Sequence, residues 1–518
     1  MCGFVALHGN ADDTLLKEMM DRMRHRGPDG GGTLQLGDSR LGHVRLAILD
    51  LPAGSQPMLN ERRDLAVVFN GEVYNHLKLR RDLEQRHQFK TRSDTEVLLH
   101  LYEEEAEDML PKLDGMFAFA LAGPKGVMLA RDPLGIKPLY YGRKGNTFIA
   151  ASEIKAFPPM DELHSLPPGH AMYFGEAPFR FSLPFPPKSS LFDLPLPEVL
   201  KEIRRRFEQA VLKRLMSDVP VGVYLSGGLD SSLVAAVMRP HTVELHSFTA
   251  GIQGAPDLEV ARGVADYLGT NHHEMIYTED EVEQAIPEVV RSLESFDAPL
   301  VRSAVPMYFV SKLARKHVKV VLTGEGADEL FAGYEYLKRY DDPGALHAEL
   351  DNIILRLENT NLQRADRMTM AHGIEARVPF LDLDLVRFAA RLPVDLIRPR
   401  EDRPEKWLLR EACKGLLPNA IMQRKKMKFS EGAGSADVIA ERLRQRVPKK
   451  EFADSHQQAR ELALRSPEEL YYYQVWREAF GPHVDLRIVG RTSDTSAAAA
   501  RARFRGHRPY MSTVPDRL

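Results

Sequence analysis

The stretch VYLSGGLDSSLV, residues 223–234, constrains this chain more than any other. An apolar run ends in two glycines, and small residues then open a helical run. The pattern recurs: VELHSFTAG (243–251) and VKVVLTGEG (318–326) are also apolar runs ending in glycine turns. Strands alternating with helices predict a parallel sheet with helices on both faces. The first turn also carries chemistry. Successive small residues let backbone N–H groups point into one concavity at a helix N-terminus, which is an anion site. Ser226, Gly227, Gly228, Ser231 and Ser232 form a cradle for a pyrophosphate, and the GK[ST] of a Walker A loop is absent. Asp230 inside such a loop makes sense where Mg²⁺ bridges it to the phosphates. A bare SGG would be only a tight turn with a serine cap; SGGLDSS after an apolar strand is more specific than that.

The first 180 residues follow another rule. LAVVFN (65–70), GMFAFAL (115–121), GVMLA (126–130) and TFIAAS (147–152) are short strand signals separated by turns. Residues 95–113 carry apolar side chains at helical spacing with an acidic opposite face. Proline then concentrates in 181–200, which reads as extended linker because proline fixes φ and lacks a donor. At 518 residues the chain exceeds one core. We expect a first domain over 1–185, a linker over 186–200, a second domain over 201–488 and a disordered alanine- and arginine-rich tail over 489–518. A net charge of −3 gives no global attraction to nucleic acid or anionic membrane. No apolar run reaches the roughly 20 residues that span a bilayer, and no signal peptide is visible. Two cysteines exclude a disulfide framework and fit a reducing cytoplasm. His272 and His273 are adjacent on a strand pattern, so they point to opposite faces and do not read as a metal pair.

One of the two cysteines is Cys2. With Met1 removed, it carries both a thiol and an α-amine whose ordinary pKa lies near 7.7–8.0. The nucleophile then brings its own base. Asn70 and Gly71 end an apolar strand, where a side-chain amide and a backbone N–H suit an oxyanion hole. Asp94 reads as a helix N-cap, and with Arg45 it could bind the charged groups of a free amino acid.

MCGF, RHRGPDG (24–30), HVRLAILD (43–50), NGEVYNH (70–76), SDTE (93–96), LDGMFAFAL (113–121) and RDPLGIKPLYY (131–141) together resemble the glutaminase domain of class II amidotransferases. The resemblance implies an N-terminal-nucleophile hydrolase sandwich of α+β class, layered αββα. It further implies that Cys2 attacks the glutamine side-chain amide and forms a thioester, that Asn70 and Gly71 make the oxyanion hole, and that Arg45, Glu72 and Asp94 hold glutamine.

SGGLDSS resembles the pyrophosphate loop of ATP pyrophosphatases, with an α/β parallel-sheet domain of adenine nucleotide α-hydrolase type. With TGEGADELFAGY (323–334), GIEARVPFLD (373–382), KWLLREA (406–412), RKKMKFSEGAGS (424–435) and YYYQVW (471–476), the chain is similar to the glutamine-hydrolysing asparagine synthetase family up to about residue 480. The resemblance implies aspartate activated by ATP as an adenylate, release of AMP and pyrophosphate, and attack by ammonia carried through an internal tunnel. Leu225, Ala250, Thr323 and Gly324 match AMP-binding positions, Asp328 joins Asp230 as a Mg²⁺ ligand, Glu325 is the acid beside ammonia, and Lys426 the catalytic lysine, with Arg424 as a second cation. Ala332, Ala250 and Arg367 depart from common family residues. They leave open another carboxylate as acceptor. The family also allows a homodimer in the cytoplasm and needs no nucleic acid or membrane.

Overall fold

The structure, a computed structural model, describes residues 2–185, 194–425, 427, 429–435, 438–439, 442–443, 462–482 and 484–492. Lys426, most of the linker and the tail beyond 492 therefore lie outside the described residues.

Strands β1 (Gly3–His8), β2 (Gly30–Leu36), β3 (Ser39–Arg45), β4 (Met58–Leu59), β5 (Ala66–Val73), β6 (Gly115–Gly123), β7 (Gly126–Arg131), β8 (Tyr140–Lys144), β9 (Thr147–Ala151), β10 (Glu162–Ser165), β11 (His170–Tyr173) and β12 (Phe179–Arg180) build two six-stranded sheets. Their orders are β10-β8-β9-β1-β3-β2 and β12-β11-β7-β6-β5-β4. Helix α1 (Asp13–Arg22) packs on β1 and β3, and α2 (His76–Leu83) and α3 (Glu96–Glu105) lie on the other outer side, α3 against β5.

The period-2 alternation of strands explains this layering. Phe4 and Ala6 of β1 face Val68, Ala118 and Ala120 across the interface between the sheets. Val5 and Leu7, on the other side of β1, join Leu16 and Met19 of α1. Likewise Val67 and Phe69 of β5 join Val97, Leu98 and Leu101 of α3. Four layers in the order αββα result, as the resemblance implies.

The second half holds one parallel sheet of β13 (Val221–Tyr224), β14 (His246–Gly251), β15 (Asn271–Ile276), β16 (Val320–Leu322) and β17 (Glu375–Arg377), in the order β15-β14-β13-β16-β17. Every pairing is parallel. Helices α4 (Leu196–Lys213), α5 (Leu229–Met238), α6 (Pro256–Leu268), α7 (Glu279–Leu293), α8 (Ala298–Ala314), α9 (Ala327–Leu330), α10 (Pro343–Leu355) and α11 (Asn361–Met370) surround it. Val223, Leu225 and Leu322 pack towards α4 and α5, while Tyr224 and Val321 pack towards α7 and α8. Both faces are thus covered. The chain builds outward from β13 to β15, then returns to β13's other side with β16. Such a reversal opens a crevice at the carboxyl ends of the strands, where open α/β sheets bind ligands.

Two expectations need correction. Helix α4 begins at Leu196, so 196–200 is helical rather than linker; Pro197 lies in the first turn, where its missing N–H costs nothing. The tail does not loosen at 489: Val489 is buried, and Thr492 donates its backbone N–H to Asp297 at 2.8 Å.

Candidate active sites

Cys2 precedes β1 and is buried. Its backbone N–H donates to Asn70 Oδ1 at 3.2 Å, and its Sγ lies 3.9 Å from the Leu46 carbonyl. Burial pushes the thiol pKa up. Asn70 is fully buried on β5, and its Nδ2 has no partner among the described residues. A buried amide donor without a partner is costly unless a ligand takes it, and it fits the oxyanion role expected of Asn70. Gly71 pairs with Phe117, and a Cβ there would sit 2.0 Å from the Met116 carbonyl. Only glycine permits that approach.

Glu72 and Asp94 are buried nearby with Glu375 and Arg377 of β17. Burial, with Glu375 and Asp94 as like-charged neighbours, raises the Glu72 pKa well above the usual carboxylate range. Arg377 answers with its guanidinium, 3.2 Å from Glu72 and 2.5 Å from Glu375. Asp94 is not a helix cap, contrary to the sequence reading. Thr95 occupies the N-cap of α3, and Asp94 Oδ2 instead accepts the Val73 N–H at 2.7 Å. Burial raises its pKa against that hydrogen bond. Arg45 does not pair with Asp94; its guanidinium donates to the carbonyls of Leu49, Asp50 and Leu51. It holds that turn while its charge opposes the burial-driven rise of the Cys2 pKa.

The loop after β13 turns at glycine and leads into α5. Gly227 has φ +68°, and a Cβ there would meet the Ala261 backbone at 2.7 Å. Gly228 caps α5, its N–H held by Ser226 Oγ at 3.3 Å, and Ser226 Oγ and Ser231 Oγ lie 3.2 Å apart. Leu225 donates its N–H to the Phe248 carbonyl, and Ala250 lies buried near the end of β14. Ser232 Oγ and Thr323 Oγ1 are buried hydroxyls without a partner among the described residues. Thr323 and Gly324 follow β16, and Gly324 packs so tightly that a Cβ would meet Asp230 Cβ at 2.8 Å. Arg424 reaches this loop, bonded to Asp257 at 3.0 Å and to the Ser226 carbonyl at 3.5 Å.

Asp230 and Asp328 are brought together, and the sequence reading missed what lies between them. Lys406 Nζ donates to Asp230 Oδ2 at 2.5 Å and sits 2.6 Å from Asp328 Oδ1. Gly333 leaves space for this cluster, since a Cβ there would meet Asp328 Oδ1 at 1.9 Å and Lys406 Cε at 2.4 Å. Two carboxylates converging on one buried cation form a hard-oxygen donor set that suits Mg²⁺. The only sequence signal for Lys406 was its place in KWLLREA. Glu325 accepts a charge-assisted bond from Arg364 Nη2 of α11 at 2.6 Å.

A buried charge network joins the two sites, and sequence reasoning did not find it. Arg26, from RHRGPDG, donates Nε to the Cys2 carbonyl at 3.0 Å and Nη1 to Glu153 at 2.6 Å. It also grips Asp366 of α11 at 2.8 and 3.2 Å. Arg367 extends the network to Glu294 at 2.7 Å and Glu153 at 3.3 Å.

Residues 1–173 match the glutamine amidotransferase domain family, and residues 202–353 and 339–497 match the asparagine synthase family. The chain is 38% identical over 543 residues to asparagine synthetase [glutamine-hydrolyzing] 1 of Arabidopsis thaliana, covering 96% of this chain and 90% of that protein. It is 39% identical over 526 residues to asparagine synthetase [glutamine-hydrolyzing] 2 of Lotus japonicus, covering 94% and 88%. With asparagine synthetase [glutamine-hydrolyzing] 3 of Arabidopsis thaliana the identity is 42% over 461 residues, covering 84% and 79%.

Proposed function

The chain belongs to the family of glutamine-hydrolysing asparagine synthetases, and from that premise we propose how its two sites divide the work. It is an ATP-dependent ligase that makes asparagine from aspartate with glutamine as nitrogen donor. In the first site, Cys2 Sγ attacks the glutamine side-chain amide carbon, and its α-amine, freed by removal of Met1, moves the proton. Asn70 Nδ2 and the Gly71 N–H take the oxyanion, ammonia leaves, and water hydrolyses the thioester to glutamate. Arg45, Glu72 and Asp94 hold the substrate's charged groups. The orphaned Asn70 Nδ2 supports this reading.

In the second site the aspartate β-carboxylate attacks the α-phosphorus of ATP, pyrophosphate leaves, and ammonia displaces AMP from the β-aspartyl adenylate. Ser226, Gly227, Gly228, Ser231 and Ser232 cradle the pyrophosphate; Leu225, Ala250, Thr323 and Gly324 line the nucleotide. Asp230 and Asp328 would hold Mg²⁺, which neutralises phosphate charge when bound. Glu325, oriented by Arg364, takes the proton from the attacking ammonia. Lys426 is assigned to the developing charge on the α-phosphate. A homodimer, a cytoplasmic location and domain limits at 1–185 and 201–488 belong to the same proposal.

One observation carries it. Buried Arg26 ties the carbonyl of Cys2 to Asp366 on the helix whose Arg364 holds Glu325, so a nitrogen-releasing site and an acid-activating site share one frame. The test is product stoichiometry with glutamine, aspartate and MgATP. Equal amounts of AMP, pyrophosphate, asparagine and glutamate are expected; ADP in place of AMP overturns the adenylate.

A further inference from the structure

The strand pairing corrects the dismissal of the adjacent histidines in one respect. His272 and His273 do face opposite sides of β15: His272 Nδ1 bonds Ser247 Oγ at 2.8 Å, while His273 Nε2 lies 3.0 Å from Nδ1 of His246 on the neighbouring strand. What the sequence could not give is a third imidazole. His317, in the connection between α8 and β16, stacks over His273 with ring centroids 3.8 Å apart. One ligand nitrogen from each of His246, His273 and His317 lies within 4.8 Å of the others. The buried ring of Phe248 forms their floor, 5.2 Å from His273 and 5.8 Å from His317 between centroids.

We propose that His246, His273 and His317 form a binding site for a zinc-type divalent transition-metal ion that staples the outer edge of the parallel sheet. On a tetrahedral ion with Zn–N near 2.0–2.1 Å, two ligand nitrogens stand about 3.4 Å apart and their ring centres about 5 Å apart. His246 and His273 already meet that spacing, with centroids 5.3 Å apart. His246 and His317 lie at 5.8 Å. Only the His273–His317 stack is too close, and His317 is the exposed member, on a connection, so an outward swing of its side chain completes the set. If His246 binds through Nδ1, its Nε2–H faces Glu244 Oε1 at 3.9 Å, the outer carboxylate that commonly orients a metal-bound histidine. Three neutral imidazoles leave the fourth position to water, a donor set that suits zinc, nickel or copper and not Mg²⁺.

The site lies apart from the chemistry. His246 opens β14 and Ala250 nears its carboxyl end, about 13 Å away at strand rise. Metal here would join β14, β15 and the α8–β16 connection.

The test titrates the purified full-length chain, stripped with chelator, with Zn²⁺ alone and then Ni²⁺ alone, following heat and melting temperature. One equivalent should bind with micromolar or tighter affinity and raise the melting temperature. His246→Gln and His317→Gln should each weaken Zn²⁺ at least tenfold, while His272→Gln, on the opposite face, leaves it unchanged. The metal-free melting temperature of each variant reports whether it folds, and synthetase rates with ammonia should not move. Wild-type protein that takes up no Zn²⁺ at 0.1 mM overturns the proposal. So does wild-type affinity in His317→Gln and His246→Gln, or an equal loss in His272→Gln.

Discussion

Replacing Lys406 by methionine isolates the charge balance of the synthetase site. The side chain is 4% exposed, and it separates Asp230 and Asp328, 18% and 21% exposed. Methionine keeps the length and removes the charge, leaving two carboxylates face to face. Removing one partner of a buried ion pair costs about 3–5 kcal/mol. Both aspartates keep some contact with water, which favours the lower end, about 3 kcal/mol. At roughly 2–4 °C per kcal/mol for a domain of this size, the transition should fall by about 6–12 °C. Burial opposes the Lys406 charge, but Asp230 and Asp328 overcome it and raise its pKa. Stability from a raised pKa is fully present below the unfolded lysine value, near 10.4, and is lost only as pH rises through the folded one. The deficit should therefore be flat between pH 6 and 9. Scanning calorimetry with and without Mn²⁺ supplies the decisive comparison. Mn²⁺ alone should restore most of the loss in Lys406→Met and raise wild type and Lys406→Arg by less. A methionine variant that melts with wild type, or that Mn²⁺ fails to rescue, refutes the reasoning.

Cys2→Ala should abolish glutamine-dependent asparagine formation and leave the ammonia-driven reaction within about twofold; loss of both would break the division into two sites. Asn70→Ala should lower glutaminase kcat about 10²–10³-fold with a smaller change in KM, the usual cost of one oxyanion donor, and equal effects on both constants would argue for simple substrate binding. Asp366→Asn removes the charge that Arg26 grips at 2.8 and 3.2 Å; each half-reaction should survive while the ratio of glutamate to asparagine rises above one, and a ratio that stays at unity counts against a coupling role. Burial raises the Glu96 pKa, but the His100 imidazole 3.8 Å away and hydrogen bonds from the Lys90 and Thr91 N–H groups and Thr91 Oγ1 outweigh it and lower the value to about 2. A depressed carboxylate stabilises the fold above its unfolded pKa and loses that contribution as pH falls through the folded value. Glu96→Gln should therefore flatten the acid limb of stability between about pH 4.3 and 2; an unchanged limb in urea titrations would discount the contact.

What was legible in the sequence was whatever is written in consecutive residues. The short apolar runs at 65–70, 115–121, 126–130 and 147–152 are strands β5, β6, β7 and β9, and glycine after an apolar run marked the loop at 226–232. The illegible part is made of pairs far apart in the chain. Asp94 looked like a cap because it precedes a helix; its partner is the Val73 N–H at the end of β5. Nothing near Arg45 in the sequence announces the turn of carbonyls at Leu49, Asp50 and Leu51 that it also engages. Lys406 stands 176 positions from Asp230. The three histidines come from two strands and a connection, so no spacing rule collects them.

Why two chemistries should be bolted together by buried charge follows from what passes between them. Ammonia is small, basic and mostly protonated in neutral water, so its release helps only if the acceptor site stands in a fixed place. Hydrophobic contact alone is non-directional and would permit sliding between the halves. Arg26, Glu153, Glu294, Asp366 and Arg367 are all nearly fully buried, and charges of this kind tolerate little displacement once out of water. Helix α11 converts that constraint into alignment. At 100° per residue, Arg364 and Asp366 point to well-separated faces of one rigid helix. One face holds Glu325, to which we assign ammonia capture, and the other holds the arginine bonded to the Cys2 carbonyl, to which we assign its release. A shift of either site must therefore move the helix or break a buried pair.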